Sequence, residues 1–303
     1  NYQLFSNYAG LFTSANEYNQ EVILDYTYVP SLKMWSKYYD MAPISAGARL
    51  NAFAPLQSLV DNYILLNGKT ISEDSSYDDN NPYVNRDPRL STTILYHGGE
   101  WEHFDGTKKE IFIKPGTGTD DAEKMDLYVS ASSNSTATGY YTKKYYDVKA
   151  TSTFDSGLNI IIYRYADILL MYAEAKLELG QMDSAIWDLT VKAIRQRAGF
   201  TLGGALNYPS TLSTADLRTL LRNERRSEFA LEGLRYYDIV RWQAGPEYLN
   251  GYVYGAKFSN NNTQYLRLDN RVFNTSRDYL WGVPQAQIDL NPNLAPNNPG
   301  YGN

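Results

Sequence analysis

The sequence predicts a mostly α-helical protein, a helical scaffold that carries long loops and a few short strands. Three observations predict it. Ala166, Leu169, Leu170, Ala173 and Leu177 recur at helical spacing within residues 163–199. Leu217, Leu220, Leu221, Phe229, Ala230, Leu231 and Leu234 supply the apolar side chains of a second helical region, residues 213–243. The rest is rich in Asn, Pro, Gly and Ser, the residues of turns, with only brief runs of strand-forming side chains.

Residues 1–54 read as irregular apart from a strand over 21–26. An aromatic loop, 35–41, closes through Pro43 and Gly47. A short helix opens at Pro55, presents Leu56, Leu59, Val60 and Tyr63, and stops at Gly68. Residues 78–82 are turn chemistry, and 94–96 and 111–113 read as strands around a loop that carries Trp101. Residues 140–149 read as one more strand. The region 163–199 divides at Gly180, with Asp183 capping a second helix that ends at Gly199 and buries Ile186, Leu189, Ala193 and Ile194. Residues 173–199 resemble a tetratricopeptide helix pair, with small residues at Ala173, Ala185 and Ala193, and Leu189 at a packing position. One such pair cannot bury both its apolar faces, so partner helices are expected elsewhere. Ser213 and Asp216 cap a third long helix over 213–243, and 244–303 reads as coil with short turns near 284–290. The chain is thus expected to have a loop-rich ligand-binding part, about 1–157, and a helical scaffold, about 158–303.

Composition narrows the function. The net charge of -6 argues against nucleic acid and anionic membrane surfaces, which select basic patches. With no cysteine, disulfides, thiolate catalysis and Cys-type zinc sites are excluded. His97 and His103 are the only histidines, so a His-rich metal site is excluded and a Ser-His-Asp triad would have to use one of them. No cofactor is expected. The apolar stretch 160–179 is interrupted by Arg164, Asp167, Glu174, Lys176 and Glu178 and cannot span a bilayer. The first ten residues have neither the basic start nor the apolar run of a signal peptide. The aromatic content stands out, with 28 Tyr, 10 Phe and 5 Trp. Most of these rings are expected in the core, but Tyr and Trp also suit recognition surfaces.

Several segments together resemble the C-terminal region of the SusD/RagB family. They are Arg86-Asp87-Pro88-Arg89-Leu90, the helix from Tyr163 to Ala175, Arg195-Gln196-Arg197-Ala198-Gly199, the stretch from Asn223 to Trp242, Tyr279-Leu280-Trp281-Gly282-Val283-Pro284, Asn291-Pro292-Asn293-Leu294 and Asn298-Pro299-Gly300-Tyr301. Each is weak alone; their order is specific. The resemblance implies a SusD-like fold, with tetratricopeptide-like helices on one side and ligand-bearing loops on the other. It implies an outer-membrane, cell-surface lipoprotein of Bacteroidetes that binds glycans for a SusC-like TonB-dependent transporter and is not an enzyme. The family's lipid-modified cysteine and the helices preceding this region are absent here, so the chain is expected to be part of a longer protein whose lipid anchor lies outside it.

Candidate residues follow. Glu224, Glu228 and Glu232 share a helix face and are read as ion-paired with Arg225, Arg226, Arg235 and Arg241 rather than catalytic. In the stretch Glu100-Trp101-Glu102-His103-Phe104-Asp105 the acids read as solvated and Trp101 as a platform. The expected glycan site is the aromatic loop, since a pyranose stacks its C–H face on a ring. Trp35, Tyr38, Tyr39 and Trp101 supply faces, and Asp40, Arg49 and Asn51 supply hydrogen bonds, Arg49 as a rigid fork. Asp78-Asp79-Asn80-Asn81 and Asp120-Asp121 could supply oxygen ligands for calcium but lack EF-hand spacing and read as solvated turns, so no metal is expected. The alternatives are peptide capture of the RagB type, a glycoside hydrolase using Glu100 and Glu102, and a tetratricopeptide adaptor.

Overall fold

The structure, a computed structural model, describes residues 1–36, 40–48, 51, 53–130, 134–150, 155–258 and 266–302. In chain order its elements are β1 (Val22–Tyr26), α1 (Gln57–Asn62), α2 (Arg89–Thr93), β2 (Ile94–Leu95), β3 (Gly99–Glu102), β4 (Lys108–Ile111), β5 (Tyr141–Thr142), β6 (Ile160–Arg164) and α3 (Tyr165–Glu178). There follow α4 (Ser184–Trp187), a π-helical turn (Asp188–Lys192), α5 (Ala193–Ala198), α6 (Gly203–Leu206), α7 (Thr214–Glu228), α8 (Arg235–Arg241), α9 (Gly245–Tyr248), β7 (Gly251–Tyr254), β8 (Arg267–Arg271) and α10 (Gln285–Leu290). The strands form two-stranded antiparallel pairs, β1 with β6, β2 with β5, β3 with β4 and β7 with β8. The fold is the expected one: a mostly helical scaffold, long loops, few strands.

The scaffold core joins α3, the α4–α5 run and α7. Ala166, Leu170, Ala173, Trp187, Val191, Ile194 and Leu221 are buried together there. Asp183 caps α4 as expected, accepting from the Ile186 backbone N–H at 2.8 Å, and Ser213 caps α7. The buried face of the second helix is only partly the expected one: Ile194 is buried as expected, Ile186 and Ala193 are half-buried, and Leu189 is not buried. Trp187, Val191, Ile194 and Ala198 point inward, while Leu189 is 55% exposed. Both stripes have helical spacing, and the one carrying the tryptophan buries more apolar area. α3 is apolar on both sides: Ile168, Met171 and Tyr172 are exposed opposite its buried stripe.

Further expectations are revised. Residues 163 and 164 close β6 instead of opening α3. The region 213–243 holds two helices, because α7 ends at Phe229 and the chain turns through Leu231 at φ 64° and Gly233 at φ 84°. A β-carbon on Gly233 would meet no atom within 4 Å, so this glycine serves the left-handed turn. Leu231, expected to bury, is 42% exposed. Gly68 lies beyond a helix that has already ended at Tyr63. Residues 99–111 form the β3–β4 hairpin, so part of the expected loop is strand, and β7 and β8 form a hairpin within the expected coil.

Candidate functional site

Beyond β1 the chain stays extended to Tyr28 and turns back at Lys33, whose N–H and carbonyl bridge Val29. Two residues on, the Trp35 backbone pairs with Ser156 through two 2.9 Å hydrogen bonds. Trp35 Nε1–H donates to the Leu158 carbonyl at 2.8 Å, fixing the ring's edge. The Tyr28 N–H donates to Asn159 Oδ1 at 2.9 Å, and Asn159 Nδ2 donates to Asp25 Oδ2 at 2.9 Å. These bonds hold three rings in a row. Tyr26 and Tyr28 have centroids 5.1 Å apart, and Tyr28 and Trp35 6.4 Å apart. Tyr26 is 49% exposed, and Tyr28 and Trp35 are half-buried. Lys33 Nζ lies over the Tyr26 ring, 3.9 Å from its centroid, and donates to the Thr27 carbonyl, so a cation covers one face of the first ring. Such an arrangement offers apolar faces at the scale of a pyranose unit, with the Asp25 carboxylate and the Lys33 ammonium nearby for hydroxyl groups.

Of the expected site residues, Trp35 belongs to this row. Tyr38, Tyr39 and Arg49 lie outside the described residues. Trp101 is a correction: it is 1% exposed, packed among Leu95, Ile111, Ile113 and Tyr141, with its ring 4.2 Å from that of Tyr146. The reason is strand alternation. Glu100 and Glu102 both point outward to Lys108, at 3.3 and 3.9 Å, which sends Trp101 inward. Asn51 is buried and donates to the Met41 carbonyl. Tyr26 and Tyr28 were missed. Their i, i+2 spacing at the end of an expected strand puts both on one face, and that signal was available. A second exposed ring group, Tyr236, Tyr237 and Trp281, lies near the scaffold's end, with Trp281 75% exposed and edge-on to Tyr236 at 6.1 Å.

The acidic face of α7 is structural, but its partners are not those expected. Glu228 is fully buried and pairs with Arg164 at 2.5 Å, Arg89 at 2.8 Å and Arg197. Glu224 pairs with Arg89 and Arg195 at 2.8 and 2.7 Å, and Glu232 with Lys144 and Arg164 at 2.5 and 2.8 Å. Burial raises the Glu228 pKa, but the Arg197, Arg164 and Arg89 guanidiniums outweigh it and hold the carboxyl well below its ordinary range. Arg225 instead pairs with Asp167 and Asp238, and Arg241 with Glu174 and Asp238. Lys144 is wholly buried, and its pKa is pushed down to about 8 by that burial, with Glu232 acting against it. The acidic turns hold themselves: Asp78 accepts from Asn80 and Asn81, Asp79 pairs with Lys257, and Asp120 accepts from the Glu123 N–H. Among the described residues no group of three or more His, Cys, Asp or Glu side chains is placed to hold a metal ion. No helix among them is long and apolar enough to cross a membrane.

A model of the SusD family matches residues 16–301. SusD-like protein P2 of Formosa agariphila is 34% identical over 164 residues, covering 54% of this chain and 29% of that protein. The crystal structure of a SusD-like carbohydrate-binding protein from Bacteroides fragilis superposes with a TM-score of 0.81 at 28% identity, over 97% of this chain and 58% of that one. A second SusD-like protein of the same organism gives 0.74 at 26% identity, over 99% of this chain and 59% of the other. The chain thus spans little more than half of these solved relatives and under a third of the Formosa protein.

Proposed function

Because the chain belongs to the SusD family, we propose that it captures oligosaccharide at a cell surface and performs no chemistry on it. The Tyr26–Tyr28–Trp35 row carries this reading. Rings held at fixed spacing by hydrogen bonds to residues 156–159 offer a sugar apolar contact with little further ordering. Tyr38, Tyr39 and Arg49, close to Trp35 in sequence, are proposed as further members of the site. The whole protein is proposed to be lipid-anchored on the outer face of the outer membrane and to deliver its ligand to a SusC-like TonB-dependent transporter.

The test is calorimetric titration of a panel of neutral oligosaccharides into the wild type, Trp35→Ala and Trp281→Ala. Loss of one stacking ring costs about 1–1.5 kcal/mol, so Trp35→Ala should weaken binding roughly tenfold. Trp281→Ala should bind as the wild type does. The reading fails if no oligosaccharide binds, or if Trp35→Ala binds as tightly as the parent. Binding of peptides alone would support the RagB-type alternative.

A further inference from the structure

α1, the α7–α8 turn and α9 line an open cavity of about 620 Å³, a size usual for small-molecule sites. Leu56, Leu59 and Phe229 supply apolar wall, and Arg226, Arg235 and Tyr236 stand among them. The charges lining it are unequal: Arg225, Arg226, Arg235 and Arg271 against Asp238 and Glu247. Arg225 is held by Asp167 at 2.7 Å and shares Asp238 with Arg241, at 3.1 and 2.8 Å, which leaves Arg226, Arg235 and Arg271. Glu247 is exposed. Neither Arg226 nor Arg235 forms an ion pair among the described residues. Arg226 donates to Ser58 Oγ at 2.9 Å. Arg235 lies 4.4 Å from the Tyr248 ring centroid, and its Nη1 is buried without a hydrogen-bond partner.

Two neighbouring guanidiniums, each partly buried and neither ion-paired, repel one another, and an anion held between them relieves that repulsion. Burial, and then the proximity of Arg235, push the Arg226 pKa down to about 10, which is the electrostatic trace of the same imbalance. An arginine fork matches a carboxylate in shape as well as charge. The apolar wall asks for a ligand body with a C–H face. Tyr236 also lines the adjoining cleft that holds Trp281 and Tyr301, so a longer ligand has a path outward.

We propose that this cavity is an acid-binding site, in which Arg226 and Arg235 grip the carboxylate of a uronic acid and the Leu56–Leu59–Phe229 wall meets its ring. The sugar identity rests on the glycan-capture reading; the acid group does not. The test compares sodium glucuronate with glucuronamide, a neutral analogue of the same shape, by calorimetry at fixed ionic strength. The wild type should favour glucuronate about tenfold or more, as a charge-assisted pair implies. In Arg235→Gln that preference should fall to near one, while Arg218→Gln, which removes a guanidinium from the exposed pair with Glu178 outside the cavity, should leave it unchanged. The proposal is overturned if the wild type binds neither compound, if it binds both equally, or if folded Arg235→Gln keeps the preference. The wild-type comparison needs no substitution, so a variant that fails to fold leaves it decisive. Neutral oligosaccharide binding that depends on Trp35, with no glucuronate preference, would remove the acid site and leave the capture reading standing.

Discussion

At the scale of single residues, the most consequential side chain is Glu228. Its carboxylate is fully buried and touches three guanidiniums from three separate segments. Replacement by glutamine keeps the volume and removes the charge, leaving Arg89, Arg164 and Arg197 facing one another. Breaking a buried pair from one side costs about 3–5 kcal/mol. Glu228→Gln should therefore lower the unfolding free energy by roughly that amount in a urea titration, whereas Glu178→Gln, which breaks the half-exposed pair with Arg218, should cost under about 1 kcal/mol. A drop under ~1 kcal/mol for Glu228→Gln would show that the buried pairs do not carry the fold. The acidic stripe itself was legible, because carboxylates four residues apart share a helix face. Its partners were not, because Arg89, Arg164, Arg195 and Arg197 are distant in sequence, and only the packing of α2, β6 and α5 onto α7 brings them to it. The nearest arginines along the helix were the natural guess, and Arg225 and Arg241 turned out to serve Asp238.

At the scale of elements, the site depends on one tight crossing. The loop bearing Tyr28 and Trp35 runs so close to Gly157 that a β-carbon there would stand 2.4 Å from the Pro30 nitrogen. The obstructing atoms are backbone and a proline ring, which cannot swing aside. Gly157→Ala must push the loop off β6. Overpacking of this kind costs about 1–3 kcal/mol, and the displacement should also weaken oligosaccharide binding, since Trp35 is tied to Ser156 and Leu158 on either side of the crossing. The check pairs a thermal melt with calorimetry; a variant as stable and as tight-binding as the parent would show that the crossing does not position the rings. Helix existence and the caps Asp183 and Ser213 were legible from periodicity and local chemistry. Which of two apolar stripes turns inward was not, as Leu189 and Trp187 show, because that choice is made by the neighbouring helix. Trp101 is different: its burial was legible, since flanking charged residues in a strand commit the residue between them to the opposite face.

At the scale of the whole molecule, one buried charge network ties the chain's regions together. Glu21 precedes β1, Asp87 and Arg89 open α2, Lys144 follows β5, Arg164 ends β6, Arg195 and Arg197 lie on α5, and Glu224 and Glu228 lie on α7, with Glu232 just beyond it. It holds as many cations as carboxylates, so at neutral pH its charge balances. The ordered segments that revealed the family are largely the segments that carry this network, which is why the fold was legible while the exposed rings of the site were less so. Balance makes the fold sensitive to acid. Burial opposes ionisation of Glu224, Glu228 and Glu232, but their arginine and lysine partners hold all three below the ordinary value of 4.5. Below pH 4.5 the unfolded chain therefore binds protons that the folded chain refuses, and stability falls as pH falls. Asp61 and Asp126 act in the opposite sense, since burial raises both, but each is a single carboxyl outside the network. The net expectation is full stability from the network above about pH 4.5 and progressive loss beneath it. Urea midpoints measured from pH 7 to pH 3 should drop steeply in the wild type and more gently in Glu228→Gln, which has already lost one such group. Parallel profiles for the two proteins would mean that acid acts through other carboxylates.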